Sequence, residues 1–461
     1  MGLDENLQAT PSVNVCVVNL VYNTSRSSAT RVEVWLPDSG AYNGRLLGTG
    51  GFGLSGCVDY DNLNWGTSLN FAAFGHDGGH DGDSGAAFAT SDEVIADYAH
   101  RGLHVATLAA KQLVAAYYGR AQNKSYYIGC STGGRQGIRS VQDYPGDFDG
   151  VLAGSPVINL VRAGAAGLVW SIAGRALEEA DWLLVRDEIL RQCDGLDGVR
   201  DGVVSDPDAC DFVPDTLLCA GEKRDDCLSE EQIAAVRQIH SPIYGSDGQL
   251  LAPRLDPGAE SDADTWPFIF NPFGYPLAID WFQNAVYRNA SWEPSPDFGL
   301  KEIADADKRD AKLQVASFNP DLSAFRKRGG KLLTYHGTSD VLIPSGTSAW
   351  YYQSVSRKLS LPPSKLGDFY RLFLIPGMNH CSSGPGAWMF GQNIISGWSN
   401  SSDSHALFAL VDWVEKGKAP TTLRGTGNAD PNVPATRLHC SYPARSVWKV
   451  ESKDWVCVDS P

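Results

Sequence analysis

The sequence predicts an α/β fold, a doubly wound sheet interrupted by one large insertion. Three observations predict it. Short β-rich runs alternate with helical stretches over the first 150 residues. That rhythm stops at Pro156 and returns after Arg326. The apolar runs end in turns that carry polar residues, as strand ends of an open α/β sheet do.

Residues 31–37 (Arg-Val-Glu-Val-Trp-Leu-Pro) alternate like a half-buried strand and stop at Pro37. Arg45-Leu-Leu-Gly48 follows, then the glycine turn Gly50-Gly51-Phe52-Gly53. Helices are expected over 93–101 and 109–119. A β-rich run over 125–129 ends at a sharp turn, and residues 148–155 read as the next strand. Between 156 and 326 the character changes: Asp-rich loops, four close cysteines, and nine aromatics within 27 residues from Trp266 to Trp292. Strand patterns then return at 331–336 and 369–376. A last helix over 405–416 is apolar on one face through Leu407, Leu410, Val411 and Val414. The expected organisation is a discontinuous sheet domain, 1–155 with 327–461, carrying an inserted lid domain, 156–326.

Composition excludes several function classes. Lys and Arg number 38 against 54 Asp and Glu, a net charge of −16 that repels nucleic acid phosphates and anionic membranes. No stretch reaches 18 uninterrupted apolar residues; the nearest, 151–174, is broken by Ser155, Pro156, Asn159 and Arg162. Neither nucleic acid nor membrane is expected as a partner. Ten cysteines, several in close sequential pairs, imply disulfides made outside the cytosol. Asn-x-Ser/Thr sequons at Asn23, Asn123, Asn289 and Asn400 imply glycosylation. The opening Met-Gly-Leu-Asp-Glu-Asn has no basic flank or apolar core, so the expectation is a secreted protein whose leader was removed and replaced by an initiator Met.

Gly129-Cys-Ser131-Thr-Gly133 matches G-x-S-x-G in the context its chemistry needs, with an apolar strand before it and helix-forming residues after it. A serine hydroxyl is a weak nucleophile and needs a base held by a third group. In serine hydrolases built on such sheets the chain order is Ser, acid, His. Asp340 stands in a loop after one downstream strand and His380 in the loop after the next, which completes that order with Ser131. An oxyanion needs two pre-aimed N–H groups. Thr132 supplies one by following the nucleophile, and Gly51 in the early glycine turn is expected to supply the other. Asp194, Asp197 and Asp201, with the carbonyls of Val199 and Val203, present hard oxygen donors at a spacing that suits a hard cation. His76 and His80 are separated by Asp-Gly-Gly, which argues against a zinc helix and for a structural loop.

Gly-Cys-Ser-Thr-Gly-Gly, the Asp340 loop, the His380-Cys381 pair and the Asp-rich insertion together resemble the tannase/feruloyl esterase family, over nearly the whole chain. The resemblance implies an α/β-hydrolase core and a lid with structural calcium and no organic cofactor. It also implies a Cys beside both Ser and His, with Ser131 as nucleophile, His380 as base and Asp340 as its orienter. The expected activity is hydrolysis of small aromatic carboxylic esters, including those carried on plant polysaccharide or tannin, through an acyl-enzyme on Ser131. Feruloyl esters are placed ahead of galloyl esters because nothing in the sequence marks a cluster built for galloyl hydroxyls. Two readings of other classes stand beside this one. An acyltransferase would be revealed by products with added alcohols, and a non-catalytic binding protein by failure to turn over p-nitrophenyl acetate.

Proximity pairs Cys193 with Cys210, Cys219 with Cys227, and Cys440 with Cys457. A triad brings the neighbours of Ser131 and His380 together, which pairs Cys130 with Cys381. Cys16–Cys57 follows by elimination.

Overall fold

The computed structural model describes residues 10–262, 265–271, 273–396, 401–427 and 435–459. Its centre is an eight-stranded sheet built from β1 (Val15–Asn23), β2 (Ala29–Pro37), β3 (Arg45–Thr49), β4 (Ala72–His76), β5 (Lys124–Cys130), β6 (Gly150–Gly154), β7 (Lys331–Gly337) and β8 (Tyr370–Ile375). The spatial order is β1-β2-β4-β3-β5-β6-β7-β8. β2 runs antiparallel to both β1 and β4, and every pair from β4 through β3 to β8 is parallel.

The side-chain period of two sorts neighbouring residues into opposite layers. Val34, Leu46 and Tyr127 face a core shared with Leu103, Ala106 and Val114 of helix α1 (Gly102–Tyr118) and with Ile138 and Val141 of helix α2 (Thr132–Asp143). Their neighbours Trp35, Leu47, Tyr126 and Ile128 face the other core, closed by Leu407, Leu410 and Trp413 of helix α3 (Ala406–Lys416). Both faces are buried, so the strands read as apolar runs.

Among the described residues, nothing between Ser155 and Lys331 joins the sheet. That stretch folds around its own core, in which Trp170, Trp182, Trp266, Trp281 and Phe282 pack with Leu54, Phe88 and Tyr98 from the first half of the chain. The insertion is therefore welded to the sheet domain through the segment that follows the glycine turn.

Several elements differ from expectation. The helices expected over 93–101 and 109–119 form one continuous run, Asp92–Ala96, a π turn Asp97–Arg101, then α1, with Gly102 buried inside it. β1 and β4 carried no clear signal. β1 is an edge strand with much of its surface exposed, and β4 is a short Ala-Ala-Phe-Gly-His run held by burial between β2 and β3. The ribbons Thr422–Thr426 with Thr436–Cys440 and Arg445–Lys449 with Asp454–Val458 lie outside the sheet. They cover the β8 edge, where the Tyr442 N–H donates to the Leu372 carbonyl at 2.7 Å.

Four disulfides join Cys130 to Cys381, Cys193 to Cys210, Cys219 to Cys227 and Cys440 to Cys457. The Cys16–Cys57 pairing is corrected: both cysteines are free. Cys16 sits on the edge strand in register with Leu36, and the Cys57 thiol lies beside the Gly82 carbonyl and the Asp83 carboxylate. Elimination ignored where the fold would put the two side chains.

Candidate active site

The turn between β5 and α2 holds Ser131 at φ +59° and ψ −121°, a region that serine rarely adopts. The strain is held by a bond from the Ser131 N–H to the Gly154 carbonyl at 3.0 Å, and by the Arg135 N–H donating to the Ser131 carbonyl at 2.9 Å. Such a conformation persists only where the surroundings enforce it, and it clusters at functional sites. Gly50 and Gly133 pass so closely that a Cβ on Gly50 would lie 2.5 Å from the Gly133 Cα, so the glycine turn is pressed against the start of α2.

Asp340 is fully buried in the loop after β7. Its Oδ2 accepts from His380 Nδ1 at 2.8 Å, and its Oδ1 accepts from the Leu342 and Ile343 N–H groups at 3.0 and 2.9 Å. His336, at the end of β7, lies 3.3 Å from Oδ2 through Nε2 and 2.8 Å from the Ile343 carbonyl through the same nitrogen. A carbonyl only accepts, so Nε2 carries the proton, and Nδ1 accepts from the Ser348 hydroxyl at 2.7 Å. Burial opposes ionisation of Asp340, but His380 and His336 hold it well below the usual carboxylate range. Burial likewise opposes protonation of His380, and Asp340, with Asp262 beyond it, raises its pKa above the ordinary histidine value. His380 thus keeps Nδ1 on the carboxylate and leaves Nε2 for a proton transfer.

Thr132 opens α2, so its N–H lacks an intrahelical acceptor. Its hydroxyl donates to the Gly53 carbonyl at 2.7 Å, and the Tyr98 hydroxyl donates to the same oxygen at 2.7 Å. The expectation for Gly51 is corrected. Its N–H already donates to Gln136 Oε1 at 3.0 Å and is not available to an oxyanion. In the same turn the Phe52 carbonyl accepts from the Ser55 N–H and hydroxyl, at 3.2 and 2.9 Å, so the Gly53 N–H of that peptide points away from Ser55.

Two clefts meet at Ser131 and His380. One is walled by Val157, Leu160, Tyr275, Leu277 and Trp281. The other carries Asp59, Asn62, Gln392 and Asn393. An apolar cleft and a second one that adds four polar side chains to apolar walls, both lined by the serine, suit the two halves of an ester. Most rings of the 266–292 segment instead pack inside the insertion, Trp266 and Phe270 on Trp182, and Phe282 on Trp292.

The family model described as tannase and feruloyl esterase matches residues 16–459. The chain belongs to the tannase and feruloyl esterase family. It is 41% identical to a probable feruloyl esterase B-1 of Aspergillus flavus, over 97% of this chain and 87% of that protein. A crystal structure of feruloyl esterase B from Aspergillus oryzae superposes with a TM-score of 0.92 at 37% identity, covering 98% of this chain and 91% of that one. A tannin acyl hydrolase from Aspergillus niger shares the fold, with a TM-score of 0.82 at 24% identity, over 97% of this chain and 87% of that one. The chain is a carboxylic ester hydrolase with an α/β-hydrolase core.

In this esterase the acidic loop of the insertion is built around an arginine that the sequence reading missed. The Asp194 carboxylate accepts from the Asp201 and Gly202 N–H groups at 3.0 and 3.2 Å. Arg437, from the C-terminal ribbon, donates to Asp197 at 2.6 Å and lies 3.7 Å from Asp201. Burial pushes the Asp201 carboxyl up to about 6, against the pull of Arg437, and its Oδ1 is buried with no hydrogen-bond partner. Among the described residues, no group of three or more His, Cys, Asp or Glu side chains is arranged to hold a metal ion. Of the sequon asparagines, Asn23, Asn123 and Asn289 are exposed, and Asn400 lies outside the described residues.

His336, Asp262 and Asn379 also escaped the sequence reading. His336 had one usable signal, its place four residues before Asp340 at the end of the same strand. Asp262 stands far upstream in the insertion, with no local signal at all.

Proposed function

We propose that this esterase hydrolyses esters of hydroxycinnamic acids through an acyl-enzyme on Ser131. The reading is carried by one arrangement: His380, held on Asp340 at 2.8 Å, lines the same clefts as the strained Ser131. His380 Nε2 takes the Ser131 proton as Oγ attacks the ester carbon, and Asp340 stabilises the imidazolium through Nδ1. The developing oxyanion is met by the Thr132 N–H and by the Gly53 N–H, from the residue of the glycine turn that lines both clefts. The proton then passes from His380 to the departing alcohol. Water, activated by the same histidine, releases the acid.

The apolar cleft takes the aromatic acyl group, with Tyr275 and Trp281 as its rings, and the cleft carrying Asp59, Asn62, Gln392 and Asn393 takes the alcohol. A galloyl ring would bring three hydroxyls into apolar walls, and each buried hydroxyl left unpaired costs about 1–3 kcal/mol. A panel of methyl ferulate, caffeate, p-coumarate, sinapate and gallate tests this, and gallate should trail by at least about tenfold in kcat/KM. Gallate turned over as fast as ferulate would refute the assignment and favour a tannase.

Four disulfides and three exposed sequon asparagines support an extracellular setting with glycosylation. We also propose calcium for the acidic loop, on its excess of three carboxylates over one guanidinium and its unpartnered Asp201 oxygen, although the carboxylates are here arranged about Arg437 and not about a metal. Asp194, Asp197, Asp201 and the carbonyls of Val199 and Val203 would hold the ion. Bound there, the ion would cancel charge and order the insertion, away from the chemical steps. Elemental analysis of desalted protein, with thermal shift on adding calcium, tests the point.

A further inference from the structure

The residues on either side of His380 are tied to different parts of the molecule. Cys381 is bridged to Cys130, beside the nucleophile, with Cα atoms 6.0 Å apart. Asn379 is tied to the insertion. Its Nδ2 donates to Asp262 Oδ1 at 3.0 Å, and both side chains are buried. Asp262 is itself fixed: Oδ1 also accepts from the Thr265 N–H at 3.1 Å, the Thr265 hydroxyl donates to Oδ2, and the Trp266 N–H donates to the Asp262 carbonyl at 2.9 Å. Asn379 holds the other end, its N–H donating to the Ser383 carbonyl at 3.2 Å across the tight His380 turn. Among the described residues no Lys or Arg is paired with this buried carboxylate, and His380 is the cationic group that acts on it.

Resting on the triad reading above, we propose that Asp262 is a positioning residue for His380, a carboxylate lent by the insertion that grips the histidine loop through Asn379. It does two things at once. The Asp262–Asn379 bond sets the place of the residue before His380, so that a correctly folded insertion is a condition for an aligned base. Its negative charge adds to that of Asp340 in favouring the imidazolium, the state His380 reaches when it has taken the Ser131 proton. The charges acting on His380 are Asp340, itself in contact with His336, from the β7 side and Asp262 from the insertion, and Ser131 of the elbow shares its cleft. Burial raises the carboxyl pKa of Asp262 itself, and two bonds from Thr265 act against that rise.

The sign of the effect on rate follows. Removing the Asp262 charge lowers the affinity of His380 for its proton, so the neutral base survives to lower pH. The experiment is the pH profile of kcat/KM on p-nitrophenyl acetate for wild type, Asp262→Asn and Asn379→Ala. Asp262→Asn keeps an oxygen for Asn379 and removes the charge, so its acidic limb should move down by about half a pH unit or more. Asn379→Ala keeps the charge and removes the grip, so kcat should fall about tenfold with KM little changed. A limb that does not move in Asp262→Asn, or Asn379→Ala with native kcat, overturns the proposal. Should Asp262→Asn fail to fold, Asn379→Ala decides alone. Ser131→Ala in parallel separates the two readings. Activity surviving that change sinks the triad, whereas a dead Ser131→Ala with unmoved profiles sinks the role of Asp262 only.

Discussion

Two of the regions that bury carboxylates do so in opposite surroundings. Asp340 is given more than it needs: His380, His336 and two backbone N–H groups all donate to it or lie against it, and it stays ionised. In the acidic loop, Asp194, Asp197 and Asp201 crowd together with Arg437 as the cation among them, and Asp201 is pushed up to about 6. An over-supplied carboxylate keeps its charge while its partner gains and loses a proton. An under-supplied one makes its region depend on whatever cation comes near. We read the first environment as serving chemistry and the second assembly.

The largest effect should come from breaking the first region. Ser131→Ala should lower kcat by about four orders of magnitude or more, and Asp340→Asn by about four, since the imidazole would lose its orienting anion. Both proteins should keep their native melting profile to within a few degrees. Activity of Ser131→Ala within tenfold of wild type would remove the serine from the chemistry.

Next comes the second region. Arg437 is buried and bridges an acidic loop in the insertion to the C-terminal ribbon. Arg437→Ala leaves buried carboxylates without their counterion and should cost about 3–5 kcal/mol in denaturant unfolding. Calcium should restore part of that loss if the loop takes the ion. Loss of kcat at temperatures where the variant is still folded would contradict the division of labour between the two regions.

Each region has its own disulfide, which sharpens the comparison. Replacing Cys130 and Cys381 together should lower kcat about tenfold to a hundredfold beyond any change in folding, because the bridge sets the distance between the elbow and the histidine loop. Replacing Cys193 and Cys210, which close the chain around the acidic loop, should lower stability and leave kcat alone. Equal kinetic effects from both pairs would mean that the staple at the triad is merely structural.

What the sequence disclosed divides along the same line. Ser131, Asp340 and His380 could be picked out because each sits in a short motif at a strand end, and the structure places His380 on Asp340 and in the clefts that Ser131 lines. The parallel strands β5, β6, β7 and β8 were legible because burial on both faces leaves a continuous apolar run. Arg437 and Asp262 were not legible. Their partners are 240 and 117 residues away, and only the packed insertion and the C-terminal ribbon bring them there. Gly51 failed for a related reason. A glycine turn can be read locally, but the Gln136 side chain that takes up its N–H comes from α2, across the interface.

The smallest effect is also the one that most directly separates the two accounts of the acidic loop. Asp201 in the folded chain titrates near 6, above the ordinary carboxylate value of 3.8. A raised folded-state pKa contributes stability below the unfolded value, and that contribution is lost as pH rises through about 6. Chelated wild-type protein should therefore lose stability between pH 4 and 7, and Asp201→Asn, with nothing to titrate there, should lose less. At pH 7.5 in chelator the variant should be the more stable protein, by about 1–2 kcal/mol. Calcium reverses the sign, because a bound ion favours the carboxylate that the variant lacks, and wild type should then be the more stable of the two. Melting temperatures of both proteins from pH 4 to 8, with chelator and with calcium, provide the measurement. A crossover between the two conditions assigns the loop to a cation, whereas curves that keep their order in both leave Arg437 as its counterion.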